Sequence, residues 1–422
     1  LRPLLLLSNG HGEDLSAALL ARELQGRGVA VEAMPLVGHG APYRSAGIAL
    51  VGRSTREFST GGLGYTSLRG RLTELGQGQP LYLLSRLAWL WRQRHRHRLV
   101  VAVGDLVPVF AARLMGGPAA AYLVAYSSHY EGRLRLPFPC GWLLRARCWR
   151  AIWSRDQRTA TDLSDQLRRP VTFLGNPFLD PVLEHAGGKE SGQAAGPARR
   201  QSLALLPGSR LPEAGRNLSL MLRLLPLLPP PLQQPERLRL QAALVSGLSD
   251  EAVRDLAKPL GWRLEPRQAG DDGATQVLCR DDLRVQLQRG RFAAVLDGSD
   301  LVLSMAGTAA EQAVGLGLPV LQLVGLGPQF TAGFAEAQRR LLGPGVFCAP
   351  GPSGHPDTLA ATAVLAGELL GRLADHHRGD DWRQQLHREA AERIGPPGGT
   401  ARLADAIMEL LARTPHERTT SR

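Results

Sequence analysis

The sequence predicts an α/β protein of two doubly wound domains with a cleft between them. Three observations lead there. Short apolar runs end in glycine-bearing turns and pass into segments with helical periodicity. That unit occurs near the start of the chain and again just after residue 200. Between the two lies a stretch poor in large apolar residues, GGKESGQAAGPARR, residues 187–200. Strands alternating with helices imply a parallel sheet covered on both faces.

The elements follow in order. Leu4 to Leu7 reads as a buried strand, Ser8 to Asp14 (SNGHGED) as a turn, and Leu15 to Gly26 as a helix with Leu15, Ala18, Leu19 and Leu24 near one face. Val29–Pro35, Leu99–Val103, Ala119–Val124, Ala151–Ser154 and Val171–Leu174 read as further strands. After the linker come a strand at Ser202–Leu206, the turn Pro207-Gly208-Ser209-Arg210 and a helix from about Pro212. Leu240–Ser246, Leu301–Ser304 and Pro319–Val324 complete the second set of strands, and the chain from about Thr358 reads as mostly helical. The division is therefore 1–186 for a first Rossmann-like domain, 187–200 for the linker, 201–395 for a second, and 396–422 for a C-terminal helix and tail.

With 422 residues, 44% hydrophobic and 21% charged, each half can bury its own core. The net charge of +12 is carried almost wholly by arginine, since Lys189 and Lys258 are the only lysines. Such a balance fits a phosphorylated ligand or an anionic membrane surface, and equally an arginine-rich genome. Zinc-finger spacing and aromatic RNP-like strands are missing, so nucleic acid is not an expected partner. Cys140, Cys148, Cys279 and Cys348 form no C-x-x-C pair; neither a metal site nor disulfides are expected, and a reducing, cytoplasmic compartment fits best. No run approaches ~18 uninterrupted apolar residues, so any membrane contact is expected to be peripheral.

Four turns carry the candidate chemistry. Leu206-Pro207-Gly208-Ser209-Arg210 leads from a strand into a helix whose first turn holds Glu213. Backbone N–H groups at a helix start and a fixed guanidinium suit a diphosphate; the plain alternative is that Ser209 caps the helix and Arg210 is a surface residue. Gly307-Thr308-Ala309-Ala310-Glu311-Gln312 has the same placement; Glu311 and Gln312 suit ribose hydroxyls, while Thr308 and Glu311 also have capping-box spacing. Gln329 completes the residues assigned to the nucleotide. The N-terminal turn supplies His11, Glu13 and Asp14, with an imidazole suited to taking a proton from a sugar hydroxyl; the alternative is a solvated histidine and two carboxylates that serve only the helix end. Asp105, in Gly104-Asp105-Leu106, is expected on the same sheet edge as base, as orienting partner, or as a simple turn residue. Finally, Leu81 to Arg98 (LYLLSRLAWLWRQRHRHR) places Leu83, Leu84, Leu87, Leu90 and Trp91 near one helical face, with Trp89 beside it, ahead of a basic end. This suits an anionic membrane interface or, equally, a core helix with a solvated tail.

These turns together resemble the lipid-A-disaccharide synthases, and more closely the group of lipid-A-disaccharide-synthase-related proteins, from Ser8 to about Leu342. Leu206 to Arg210 resembles that family's strongest motif; Gly175-Asn176-Pro177-Phe178-Leu179-Asp180 is similar to its Gly-His-Pro-Leu-x-Asp; Ala306 to Ala310 to its Ser-Gly-Thr-Ala-x; and Gly12 to Leu15 to its N-terminal loop. The resemblance implies the GT-B glycosyltransferase architecture, a UDP-sugar donor held mainly by the second domain, a lipid acceptor at the first, and a diphosphate held by Gly208, Ser209 and Arg210. The chain departs from the pattern at Asn176, at Val109 where the family has Asp, and at Glu311, one place early, with Gln312 aligned to the family's glutamate. His11 resembles the glycine-loop histidine of the peptidoglycan glycosyltransferases.

The function expected first is therefore metal-independent transfer of a sugar, with inversion, from a UDP-sugar to a lipid-linked acceptor, at the inner face of the membrane. An epimerase or hydrolase acting on a UDP-sugar, and a nucleotide-sugar-binding protein without catalysis, stay open beside it.

Overall fold

The computed structural model describes residues 2–38, 40–52, 79–187, 200–265, 276–325 and 330–413. Residues 188–199 of the expected linker, Gln329, and 414–422 of the expected tail lie outside them. The chain divides into two compact units, Leu1–Asp180 with Ile394–Arg422, and Pro181–Arg393. The last helix thus belongs to the unit formed by the N-terminal half.

The first unit is a seven-stranded parallel sheet: β1 (Leu4–Ser8), β2 (Val31–Pro35), β3 (Ala49–Leu50), β4 (Leu99–Val103), β5 (Ala119–Leu123), β6 (Trp149–Ser154) and β7 (Thr172–Phe173), in the order β3-β2-β1-β4-β5-β6-β7. β1, β4 and β5 are buried along their whole length, so they read as continuous apolar runs rather than alternating ones. The order reverses between β1 and β4, which pair from Leu4↔Leu99 to Ser8↔Val103. In an open α/β sheet the crevice beyond the strand ends at such a reversal is where ligands bind.

The second unit holds β8 (Gln201–Leu206), β9 (Leu238–Leu244), β10 (Arg263–Leu264), β11 (Gln276–Arg280), β12 (Leu283–Arg289), β13 (Leu301–Ser304), β14 (Val320–Gln322) and β15 (Val346–Cys348), in the order β10-β11-β12-β9-β8-β13-β14-β15. Its reversal lies between β8 and β13, paired from Leu301↔Leu203 to Ser304↔Leu206. One edge departs from the parallel expectation, because β11 runs antiparallel to both of its neighbours, β10 and β12. A two-residue turn makes that hairpin, with Asp281 at φ 50, a left-handed position that Asp tolerates better than most residues.

Three expected helix starts need correction. The N-terminal turn is shorter than Ser8 to Asp14, because the helix His11–Gly26 begins directly after Gly10. Ser209 caps no helix: the next helix is Glu213–Leu224, with Pro212 before it and no side-chain cap. Thr308 is the first residue of the helix Thr308–Gly315, with Gly307 at the cap position and no side-chain cap, so the capping-box reading falls. The segment 81–98 also differs. The helix Gln79–Arg92 buries Leu90 and packs Leu83, Leu87 and Trp89 on the core, but leaves Leu84 and Trp91 exposed together with Leu81. Its basic end is partly internal: Arg96 and His97 pair with Glu32, Arg98 donates to the Leu411 carbonyl, and Arg94 stacks on Trp91.

Candidate functional site

Each unit presents its candidate residues at its own strand-order reversal. In the second unit, Gly208 follows β8 with φ 101, a conformation that favours glycine, and a Cβ there would stand 3.4 Å from the Met305 carbonyl oxygen. The turns after β8 and β13 therefore lie side by side, joined also by the Met305 N–H donating to the Leu206 carbonyl at 2.9 Å. Buried amides hold both turns. Asn217 donates to the Pro207 carbonyl at 2.8 Å. Gln338 donates to the Gly307 carbonyl at 2.9 Å and accepts from Gln322 at 2.6 Å. The Ser304 hydroxyl accepts from the Ala306 N–H.

What the turns leave open matters as much as what holds them. Ser209 is exposed and Arg210 and Thr308 are half-buried, and none of the three side chains bonds to another described residue. Glu213 and Gln312 are buried, whereas Glu311 keeps open surface. Two helix starts with their outward N–H groups and one uncommitted guanidinium give this crevice donors suited to an oxyanion, beside the first-turn Glu213 and Glu311.

In the first unit, the pairing of β1 with β4 brings Asn9-Gly10 beside Gly104-Asp105. The Asn9 amide nitrogen lies 3.1 Å from each Asp105 carboxylate oxygen and donates to them. Asp105 also accepts from the Val107 N–H at 2.9 Å, capping the helix Leu106–Met115. Burial raises the Asp105 carboxyl above its ordinary pKa, opposed by the Val107 N–H and the Asn9 amide. Glu13 rests over two glycines: a Cβ on Gly10 would stand 2.5 Å from its Oε2, and one on Gly104 3.1 Å from its Cγ. Glu13 and Asp105 thus share one crevice; His11 is the first residue of the helix, and its side chain lies outside the described part of the structure.

Asp14 belongs to the interior. It is 2% exposed, accepts from the Ser8 hydroxyl at 2.6 Å, and that hydroxyl lies 2.6 Å from the Tyr43 hydroxyl. Burial first, then the charge of Asp14, pushes the Tyr43 hydroxyl well up, so it stays a proton donor. Asp14 is therefore corrected from a catalytic candidate to an anchor of the helix start.

The Gly175–Asp180 motif is likewise structural, which its sequence did not signal. Asn176 is fully buried, accepts from the Tyr122 hydroxyl and donates to the carbonyls of Arg155 and Ile394. Asp180 accepts from the backbone of Gly398, Gly399 and Thr400. The motif clasps the last helix, Gly399–Arg413, onto the first unit. An amide that both accepts and donates suits this position, which accounts for Asn176.

No protein-family model and no curated protein matches the chain by sequence. Solved structures do match over nearly the whole length. A putative UDP-N-acetylglucosamine 2-epimerase from Listeria monocytogenes is 15% identical, with 98% of each chain covered and a TM-score of 0.54. CalG4, the calicheamicin glycosyltransferase, is 16% identical, covering 98% of this chain and 99% of its own, at 0.52. MurG from Acinetobacter baumannii is 17% identical, covering 96% and 99%, also at 0.52. The fold is GT-B. At these identities the likeness speaks for the GT-B fold, which serves both sugar transfer and epimerisation among these neighbours, and leaves the chemistry to the residues. Among the described residues no group of His, Cys, Asp and Glu is placed to hold a metal ion, no helix is long and apolar enough to cross a membrane, and all four cysteines are free.

Proposed function

We propose that the chain is a glycosyltransferase that moves a sugar, with inversion, from a UDP-sugar to a lipid-linked acceptor, similar to lipid-A-disaccharide synthase. The observation that carries this reading is the pair of turns at the β8–β13 reversal, with Ser209, Arg210 and Thr308 all uncommitted. In it, Gly208, Ser209 and Arg210 hold the diphosphate, and Arg210 with the helix starts stabilises the charge that develops on the leaving nucleoside diphosphate. Thr308 and Glu311 face the ribose side. On the first unit Asp105 accepts the acceptor's hydroxyl proton, Asn9 orients it, and Glu13 shares the crevice; His11 is the other candidate base. The exposed Leu81, Leu84 and Trp91 support a lipid acceptor and peripheral membrane contact.

Calorimetry with UDP tests the donor site. Wild type binds, and Arg210→Ala binds at least about tenfold more weakly, a loss of about 1.4 kcal/mol, with an unchanged circular dichroism spectrum. A folded wild type without affinity for UDP sinks the assignment. One observation favours a second reading, a UDP-sugar epimerase or hydrolase: two carboxylates, Glu13 and Asp105, share one crevice, as proton transfer to and from a sugar carbon or water would use. Turnover of UDP-sugar without any acceptor decides for that reading, and a strict acceptor requirement decides against it.

A further inference from the structure

The first unit holds a second concavity. A cavity of about 730 Å³ is lined by Arg133, Arg135 and Arg145 together with Leu134, Leu136 and Leu167. Leu167 ends the helix Gln157–Leu167, which leaves the C-terminal end of β6 and runs back along the sheet. Arg145 precedes the start of β6.

Its walls are built rather than loose. The Asp162 carboxylate accepts from the Leu134 N–H at 2.6 Å, the Ser128 hydroxyl at 2.8 Å and the Gln166 amide at 2.7 Å. Gln166 in turn donates to the Leu134 carbonyl at 2.8 Å. Leu134 is thereby fixed, and Arg133 and Arg135 project from either side of it in sequence. The Arg169 guanidinium binds the carbonyls of Leu144, Ala146 and Trp149, which sets the turn bearing Arg145. Arg145 itself donates to the Gln166 carbonyl at 2.8 Å.

The charge is unbalanced. Among the described residues, no carboxylate lines the cavity. Asp162 lies 3.9 Å from Arg133, and its oxygens already serve three donors. Arg135 has no ion pair among the described residues. Three guanidiniums around one concavity call for an anion with several acceptor oxygens, and phosphate fits that geometry best. Next to them, Phe138 is 92% exposed and Trp142 is 69% exposed, although the short helix Cys140–Leu144 buries its other large side chains. A free phosphate accounts for the arginines and leaves the two aromatics and three leucines without a purpose. A nucleic acid would use the aromatics, but it favours a long polar groove over a leucine-lined cavity.

We propose that this cavity binds the phosphate-bearing headgroup of an anionic lipid, with Phe138 and Trp142 entering the apolar layer beside it. The proposal does not rest on the UDP-sugar reading. Exposed aromatics beside arginines match the apolar and charged sides of a membrane interface.

Vesicle co-sedimentation of the full chain tests this. Wild type sediments with phosphatidylglycerol-containing phosphatidylcholine vesicles and not with phosphatidylcholine alone, and added salt weakens the binding. The Arg133→Gln, Arg135→Gln double variant and the Phe138→Ser, Trp142→Ser double variant each bind on the order of tenfold more weakly. Both arginines and both aromatics are exposed, so the variants retain the wild-type fold, and their UDP affinity in calorimetry stays as in wild type. Equal binding to neutral vesicles, unchanged binding by either variant, or binding of inorganic phosphate or a single-stranded oligonucleotide without any binding of vesicles overturns the proposal.

Discussion

Asp180 offers the sharpest test of how the first unit is held together. Its Oδ1 accepts from Gly398 N–H at 2.7 Å and Gly399 N–H at 3.3 Å, and its Oδ2 from Thr400 N–H at 2.7 Å. The side chain is 5% exposed and faces the first turn of the helix Gly399–Arg413. Helix starts have N–H groups with no partner inside the helix and carry partial positive charge, so a buried carboxylate satisfies both needs. Asp180→Ala strands all three donors. Two of the bonds have good length, and a hydrogen bond to a charged group is worth about 1.5 kcal/mol at the low end, so the expected loss is about 3 kcal/mol. Asp180→Asn keeps one acceptor oxygen and loses the charge, so about half that loss is expected. Two units need not unfold together, so the readout is the transition of the first unit in urea, with amide exchange across 399–413 as the local probe. Exchange there accelerates while the donor turns at residues 206–210 keep their protection. A variant within about 0.5 kcal/mol of wild type, the usual range for a surface change, refutes the clasp.

Other consequences are equally direct. Asn9→Ala removes the amide that opposes the effect of burial on Asp105, so the carboxyl pKa rises further in a carbon-detected NMR titration. The folded pKa of Asp105 already lies above its unfolded value, so its contribution to stability is full below the ordinary aspartate pKa of about 3.9 and is lost as pH rises through the folded value. In Asn9→Ala that loss extends to higher pH, and coincident pH–stability curves for the two proteins count against the contact. Gly399→Ala places a Cβ 2.5 Å from the Asn176 nitrogen and 2.6 Å from the Gly175 carbonyl carbon, both backbone atoms that do not yield. It costs about 3 kcal/mol in thermal unfolding, whereas Gly117→Ala, with nothing within 4 Å, leaves stability unchanged.

Much of the fold was legible because its signals are local. β4 and β13 match their apolar runs at both ends, and β1, β5 and β8 differ from theirs by one residue. The strands that escaped were of two kinds. β3 and β10, at two residues each, and β15, at three, are too short to show a pattern. The β11–β12 hairpin carried a signal in the alternation of Leu283, Val285 and Leu287 and in Asp281-Asp282, but its flanks are charged and read as loop. The candidate site divides in the same way. Glycine turns at strand ends mark where ligands approach; which side chain stays available there is not a local property.

The sequence by itself therefore determined the two α/β units and the four turns with their glycines and charges, because strand burial and backbone turning are decided within a few residues. Only the tertiary structure decided which turns meet. It put Pro207–Arg210 beside Ala306–Thr308 and Asn9 beside Asp105, since strand order sets these neighbours across long stretches of chain. It also sorted the carboxylates. Asp14 went to Ser8 in the interior and Asp180 to a helix start 218 residues away, while Asp105 and Glu13 remained at the crevice. A carboxylate's role follows from its partners and its burial, and both come from residues that the chain brings together only when folded.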